Sequence, residues 1–421
     1  MQHGPAMKRA LLAMMLSLPM LAPLGAAAQR SQPQAAVPGA NPWSEPEPSP
    51  SVEPTTRPAP GTATLPALPP ASRDAPSPSD GFEAYRAAFS AATLPAGAGA
   101  RSVTGWSLHY RGALPHAAFV IAAAPNGRVV RWRFVSGRAS PEAARRDAMT
   151  LCETQDRANA PEGTACRILA SDLAPEGQAA VMATRTETLG AFRASPFHWR
   201  HGPERAAGVL LWSHGYGGRE VDSRAAPAPG FVSALNDAGW DVFRFDRSPL
   251  EDDPAATLPR LLREVPRLRA AGYRRVALGG QSRGAWQSLL LAGAMPEAVD
   301  AVIAVAPAAH GAQSAGQGAA VDDFRRALAG FPDARPRLAI ALFDEDPFDP
   351  DVAARTSLVE TIAARRTAPT LLLRPSGNIR GHGGASEVGF TQAFSACLLT
   401  LLMAPDAAAP RGLRRAPCGG G

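Results

Sequence analysis

Lysine is all but absent from this 421-residue chain: Lys8 is the sole lysine among 43 basic residues, and the rest are arginine. Arginine abounds together with alanine, glycine and proline, a combination that nucleotide bias in a GC-rich genome explains. The formal charge of +6 is scattered along the chain. No basic stripe with interleaved aromatics is present, which argues against a nucleic-acid partner. A mild, unspecific attraction to an anionic envelope surface is all that the charge supports. Cysteine is scarce too, with four residues whose spacings suit no zinc site. The sequence suggests no cofactor. Long apolar runs are missing except near the start, where residues 10–24 are too short to span a bilayer and lack a stop-transfer flank.

That first apolar run reads as a targeting segment. Lys8 and Arg9 precede it, and Ala26-Ala27-Ala28 follows as a small-x-small cleavage site ahead of Gln29. Residues 1–28 are therefore expected to be a signal peptide. No cysteine follows the cleavage site, so a lipid anchor is not expected. Export to a periplasmic or secreted location fits an oxidising compartment, where cysteines pair. Four cysteines allow three pairings. The local pairs Cys152–Cys166 and Cys397–Cys418 are preferred. Residues 29–80 are rich in proline, alanine, serine and threonine and cannot bury enough surface to offset their ordering entropy, so they read as a disordered linker.

Residues 81–176 read as a small α+β unit. Its elements are a helix over 82–91, a hairpin over 117–123 and 128–134 turning at Asn126-Gly127, a helix capped by Ser140 with Pro141 at its first position, and a strand over 166–170. The pattern resembles small cysteine-containing modules of exported bacterial proteins. It carries no paired carboxylates, histidine cluster or phosphate loop. His109 and His116 read as packing or surface residues.

From residue 180 to 405 short apolar runs alternate with helical stretches, and residues 406–421 read as a tail. The runs cover 208–213, 241–245, 275–278, 301–306, 338–343 and 370–373, a pattern that predicts a parallel sheet covered on both faces. Residues 186–199 add one or two leading strands. In such a sheet, ligands gather at the carboxyl ends of the strands.

Four motifs fall at those ends. Gly280-Gln281-Ser282-Arg283-Gly284 lies between a strand and a helix, where a tight turn holds a serine in a strained conformation and small neighbours prevent clashes. Ser213-His214-Gly215-Tyr216-Gly217-Gly218 follows another strand. Asp344-Glu345-Asp346-Pro347-Phe348-Asp349-Pro350 follows a third, and Gly381-His382-Gly383-Gly384 comes shortly after a fourth.

The order serine, acid, histidine on separate strand ends resembles the α/β-hydrolase fold, and the likeness spans residues 180–405. The resemblance implies that Ser282 is a nucleophile, His382 its general base, and Asp346 the carboxylate that orients His382, with Asp349 and then Asp344 as alternatives. It implies an oxyanion hole of the Arg283 and Tyr216 backbone N–H groups. His214 reads as structural, and His310 lies beyond a strand that does not suit the base. Arg283, beside the nucleophile, and Arg247, at a strand end, could favour an anionic acyl group, but with arginine this common solvent-facing charge is the preferred reading. No large cap fits between 306 and 338, and the 311–318 stretch reads as a surface loop that can form a lip. The expected activity is hydrolysis of carboxylic esters through an acyl-enzyme intermediate, with a small-molecule or ester substrate as the partner. A serine peptidase or amidase of the same fold, and a non-catalytic envelope-binding protein on a hydrolase shell, are the alternatives.

Overall fold

A computed structural model describes residues 94–418, apart from 96, 97, 114, 173, 179–184, 197 and 313. The expected signal peptide, the linker and the helix over 82–91 lie outside the described residues. The amino-terminal unit begins with α1 (Ala100–Thr104), which runs on through Gly105–His109 into Tyr110–Gly112. Strands β1 (Ala118–Ala123) and β2 (Val129–Val135) form the hairpin. Gly127 turns it with φ of 81°, a left-handed conformation that glycine adopts at no steric cost. Ser140 Oγ accepts from Ala143 N at 3.2 Å and starts α2 (Pro141–Leu151), which packs on β1 and β3 (Ala165–Ser171). A short β4 (Ala174–Pro175) completes the antiparallel order β2-β1-β3-β4. A disulfide joins Cys152, just past α2, to Cys166 on β3.

The larger sheet starts with a small hairpin, β5 (Thr188–Leu189) and β6 (Phe192–Ala194). Then strands and helices alternate: β7 (Gly208–Ser213), α3 (Gly230–Asp237), β8 (Trp240–Phe245), α4 (Pro254–Glu264), α5 (Pro266–Ala270), β9 (Val276–Gln281) and α6 (Arg283–Ala294). They continue with β10 (Ala301–Val305), α7 (Ala320–Ala329), β11 (Arg337–Ala341), α8 (Val352–Arg365), β12 (Thr370–Leu373), α9 (Val388–Met403) and β13 (Gly412–Arg414). The order is β13-β12-β11-β10-β9-β7-β8-β6-β5, and every pairing from β7 to β13 is parallel.

Strands buried on both faces read as continuous apolar runs, and β7, β8 and β10 are buried throughout. Helices α4 to α8 cover one face and α3 and α9 the other, so the core divides into two clusters. Between β8 and β9 the chain forms two helices, since Pro266 has no N–H to continue the ladder. One detail differs from the sequence expectation. The expected tail returns to the sheet: Gly412–Arg414 pairs with β12, and Cys418 is bonded to Cys397 on α9.

The amino-terminal unit docks on α3 and α9. Arg111, almost wholly buried, pairs with Asp237 at 2.6 Å and donates to Ser233 O at 2.8 Å. Gln392 Nε2 donates to Thr104 Oγ1 at 3.0 Å, and His109 Nε2 lies 2.9 Å from Thr391 Oγ1. Val388, at the start of α9, belongs to the apolar core of the smaller unit.

Four buried imidazoles set an acid limit on stability. Burial, helped by Arg101, pushes His109 down to about 4; burial also lowers His198 and His201, and burial with Arg247 nearby takes His214 down to about 3. An unfolded histidine protonates near pH 6.5, so below that point the unfolded chain binds protons that the native chain refuses. Their contribution to stability is therefore complete above pH 6.5 and is lost as pH falls from there through the folded values. His109 alone accounts for about 3 kcal/mol between pH 6.5 and 4. Calorimetry across a pH series is expected to give a melting temperature that drops steeply from pH 6.5 to 4. A flat profile there would contradict the neutral buried assignment.

Candidate active site

Ser282 stands between the end of β9 and the first turn of α6 with φ of 55° and ψ of −121°. A side chain in that region costs on the order of 1–3 kcal/mol and persists only where the surroundings enforce it. Here they do. Ser282 N donates to Val305 O at 2.9 Å on β10, and Trp286 N and Ala308 N both donate to Ser282 O, at 2.9 and 3.3 Å. Glycines flank the turn because nothing larger fits. A Cβ on Gly280 would lie 2.7 Å from Ala285 N, and one on Gly284 would lie 2.6 Å from His214 O. Arg283 is the first residue of α6, so its N–H has no intrahelical acceptor.

Beyond β11, three aspartates within six residues take three different partners. Asp346 receives His382: Nδ1 is 2.9 Å from each carboxylate oxygen. Its side chain is 3% exposed, and Phe348 N donates to Oδ1 at 2.9 Å. Asp349, also buried, pairs with Arg355 at 3.3 Å, and Asp344 pairs with Arg374 at the rim. Burial pushes the Asp349 carboxyl up, with Arg355 opposing the shift. The carboxylate of Asp346 can only accept, so the proton sits on His382 Nδ1 and Nε2 is left to accept. The Phe348 ring packs on the imidazole with centroids 4.2 Å apart. Gln281 Nε2 donates to His382 O at 3.0 Å, which fastens the histidine loop to the residue before Ser282. His310 instead bonds Asp323 Oδ2 at 2.5 Å.

The loop after β7 borders the serine. A Cβ built on Gly215 would lie 3.2 Å from Ser282 Cβ. The two arginines singled out from sequence serve neighbouring residues. Arg247 is buried and bonds Asp252 Oδ1 at 2.8 Å. Arg283 reaches Asp252 O and lies over the Tyr216 ring, 3.9 Å from its centroid. Sequence reading gave no role to Gln281, Phe348 or Asp252. Gln281 and Phe348 lie inside motifs that the sequence singles out, whereas Asp252 lies in none.

Strand order, parallel sense and the sharp turn at Ser282 define an α/β-hydrolase-type fold, preceded by a small antiparallel sheet with helices. No protein-family model matches the sequence, and no curated protein matches it. Solved structures with a loose likeness include Est1E from Butyrivibrio proteoclasticus, at 16% identity over 40% of this chain and 68% of that one, TM-score 0.25. Others are a predicted CIB-like hydrolase from Thermoplasma acidophilum (18%, 51% of this chain, 99% of that chain, 0.32) and the esterase Pf2001 from Pyrococcus furiosus (14%, 47%, 80%, 0.34). Among the described residues, no cluster of His, Cys, Asp or Glu is arranged to hold a metal, and no helix is long and apolar enough to cross a membrane.

Proposed function

We propose that this protein is an exported serine hydrolase that cleaves carboxylic esters of small molecules. The observation that carries the reading is the coupling of three strand ends. Ser282 sits on a strained turn, the turn's Gln281 is bonded to the histidine loop, and His382 is bonded to a buried Asp346. Ser282 Oγ attacks the ester carbonyl while His382 Nε2 takes its proton. Asp346 keeps the imidazole in the required tautomer and stabilises its cation. Charge developing on the carbonyl oxygen meets the N–H groups of Arg283 and Tyr216, a contribution of about 2.7–4 kcal/mol per donor in comparable sites. His382 then protonates the departing alkoxide, leaving an acyl group on Ser282. Water, deprotonated by the same imidazole, releases the acid.

Among the described residues, the segment between β10 and β11 carries a short turn and the ten-residue α7, too little chain for a large cap domain. The lack of such a domain there supports bulky as well as small esters. Export is supported by the amino-terminal pattern of the sequence and by the two disulfides. The test is labelling of the mature chain, from Gln29 onward, with a fluorophosphonate and mapping of the adduct by mass spectrometry. A single adduct on Ser282 is expected. Folded protein that takes up no label, or takes it elsewhere, would overturn the proposal.

A further inference from the structure

His214 uses both ring nitrogens inside the fold. The backbone N–H of Arg247 donates to Nε2 at 2.9 Å, so Nε2 holds a lone pair and the proton resides on Nδ1. Nδ1–H then donates to Gly215 O at 2.6 Å. The Gly215–Tyr216 peptide is trans, so its C=O and its N–H point in opposite directions. Anchoring the carbonyl on His214 therefore aims Tyr216 N–H away from the imidazole. This peptide borders Ser282: a Cβ on Gly215 would lie 3.9 Å from Ser282 Oγ.

Both ends of the anchoring lead to one carboxylate. Arg247, whose side chain is 1% exposed, bonds Asp252 Oδ1 through Nε and His214 O through Nη2. Arg283, stacked on Tyr216, bonds Asp252 O and lies 3.8 Å from its carboxylate. The Asp252 side chain is itself 1% exposed. Its removal would leave the Arg247 guanidinium buried without its counter-charge.

We infer that Asp252 is the positioning residue for the oxyanion-binding peptide Gly215–Tyr216. It acts through Arg247 and His214 on one side and through Arg283 on the other. The inference rests on the hydrolase reading for what the peptide binds, and on geometry alone for how the peptide is held. Burial keeps His214 neutral, which preserves the tautomer on which the arrangement depends.

Two readouts test it on the full mature chain. Ring-nitrogen chemical shifts of His214 are expected to report the Nδ1–H tautomer in the natural protein and a mixture in Asp252→Ala. With p-nitrophenyl acetate as probe, Asp252→Ala is expected to lower kcat roughly ten- to a hundred-fold, since a small misplacement of a preorganised group has that effect. KM should stay within about twofold, and Asp252→Asn, which keeps an acceptor for Arg247, should recover part of the rate. Should Asp252→Ala fail to fold, Tyr216→Ala against Tyr216→Phe replaces it, with the ring-bearing variant at least about ten times faster. A folded Asp252→Ala with kcat within about twofold of the natural protein overturns the inference. So does an Nε2–H tautomer in the natural protein. If the natural protein neither labels nor turns over, the hydrolase reading falls, and the tautomer measurement alone decides whether Asp252 holds the loop.

Discussion

Replacing Ser282 with alanine is expected to lower kcat for an activated ester by about a million-fold, to the residual rate that the oxyanion hole and binding sustain alone. The size of the loss follows from the mechanism proposed: without Oγ no acyl-enzyme forms, and His382 has no nucleophile to activate. The fold should not register the change. What enforces the strained turn is backbone: Ser282 N on Val305 O, and Trp286 N and Ala308 N on Ser282 O. Alanine keeps all three bonds and occupies the same Cβ position against Gly215. Its melting temperature should therefore match that of the natural protein. Steady-state kinetics beside thermal melting of both proteins make the comparison. A folded variant retaining more than about a thousandth of the activity would remove Ser282 from the nucleophile's role.

Much of this arrangement was legible in the sequence because it is local. A run such as Gly208–Ser213 declares a strand buried on both faces, and the motif that follows it falls at a strand end by necessity. The hairpin at Gly127 and the capped start of α2 were legible for the same reason, each being a few residues long with defined chemistry. The placement of β9 beside β7 was not, since alternation of strand and helix carries no neighbour relations. Nor was β13, three residues with little buried surface, which is a strand only because the chain returns past β12 on its way to the Cys397–Cys418 bond. Arg247 and Arg283 look in sequence like charges facing solvent or substrate. Their partner, Asp252, lies on the loop after β8, in the same loop as Arg247 and apart from Arg283, and contacts made within or between loops leave no periodic trace.

The three aspartates after β11 mark the limit of sequence reasoning most sharply, and they supply the second large effect. Only backbone geometry, including Glu345 at φ of 59°, decides which carboxylate turns toward His382. Asp346→Asn is expected to lower kcat by about 10⁴-fold, because an amide can donate to Nδ1 and so move the imidazole proton to Nε2, where it faces the serine. The melting temperature should hardly move, since Asn keeps an oxygen for Phe348 N. Asp349→Asn is expected to do the reverse. Its carboxylate is buried against Arg355, and its backbone N donates to Asp346 O at 3.0 Å. Neutralising it strands the guanidinium, at a cost of about 3–5 kcal/mol in stability, while kcat falls less than about tenfold. Kinetics and denaturant unfolding of both variants separate the two roles. If Asp349→Asn instead abolishes turnover in a stable protein while Asp346→Asn stays active, the carboxylate serving His382 is Asp349. The bond between Asp346 and His382 would then be a resting contact that the reacting enzyme abandons.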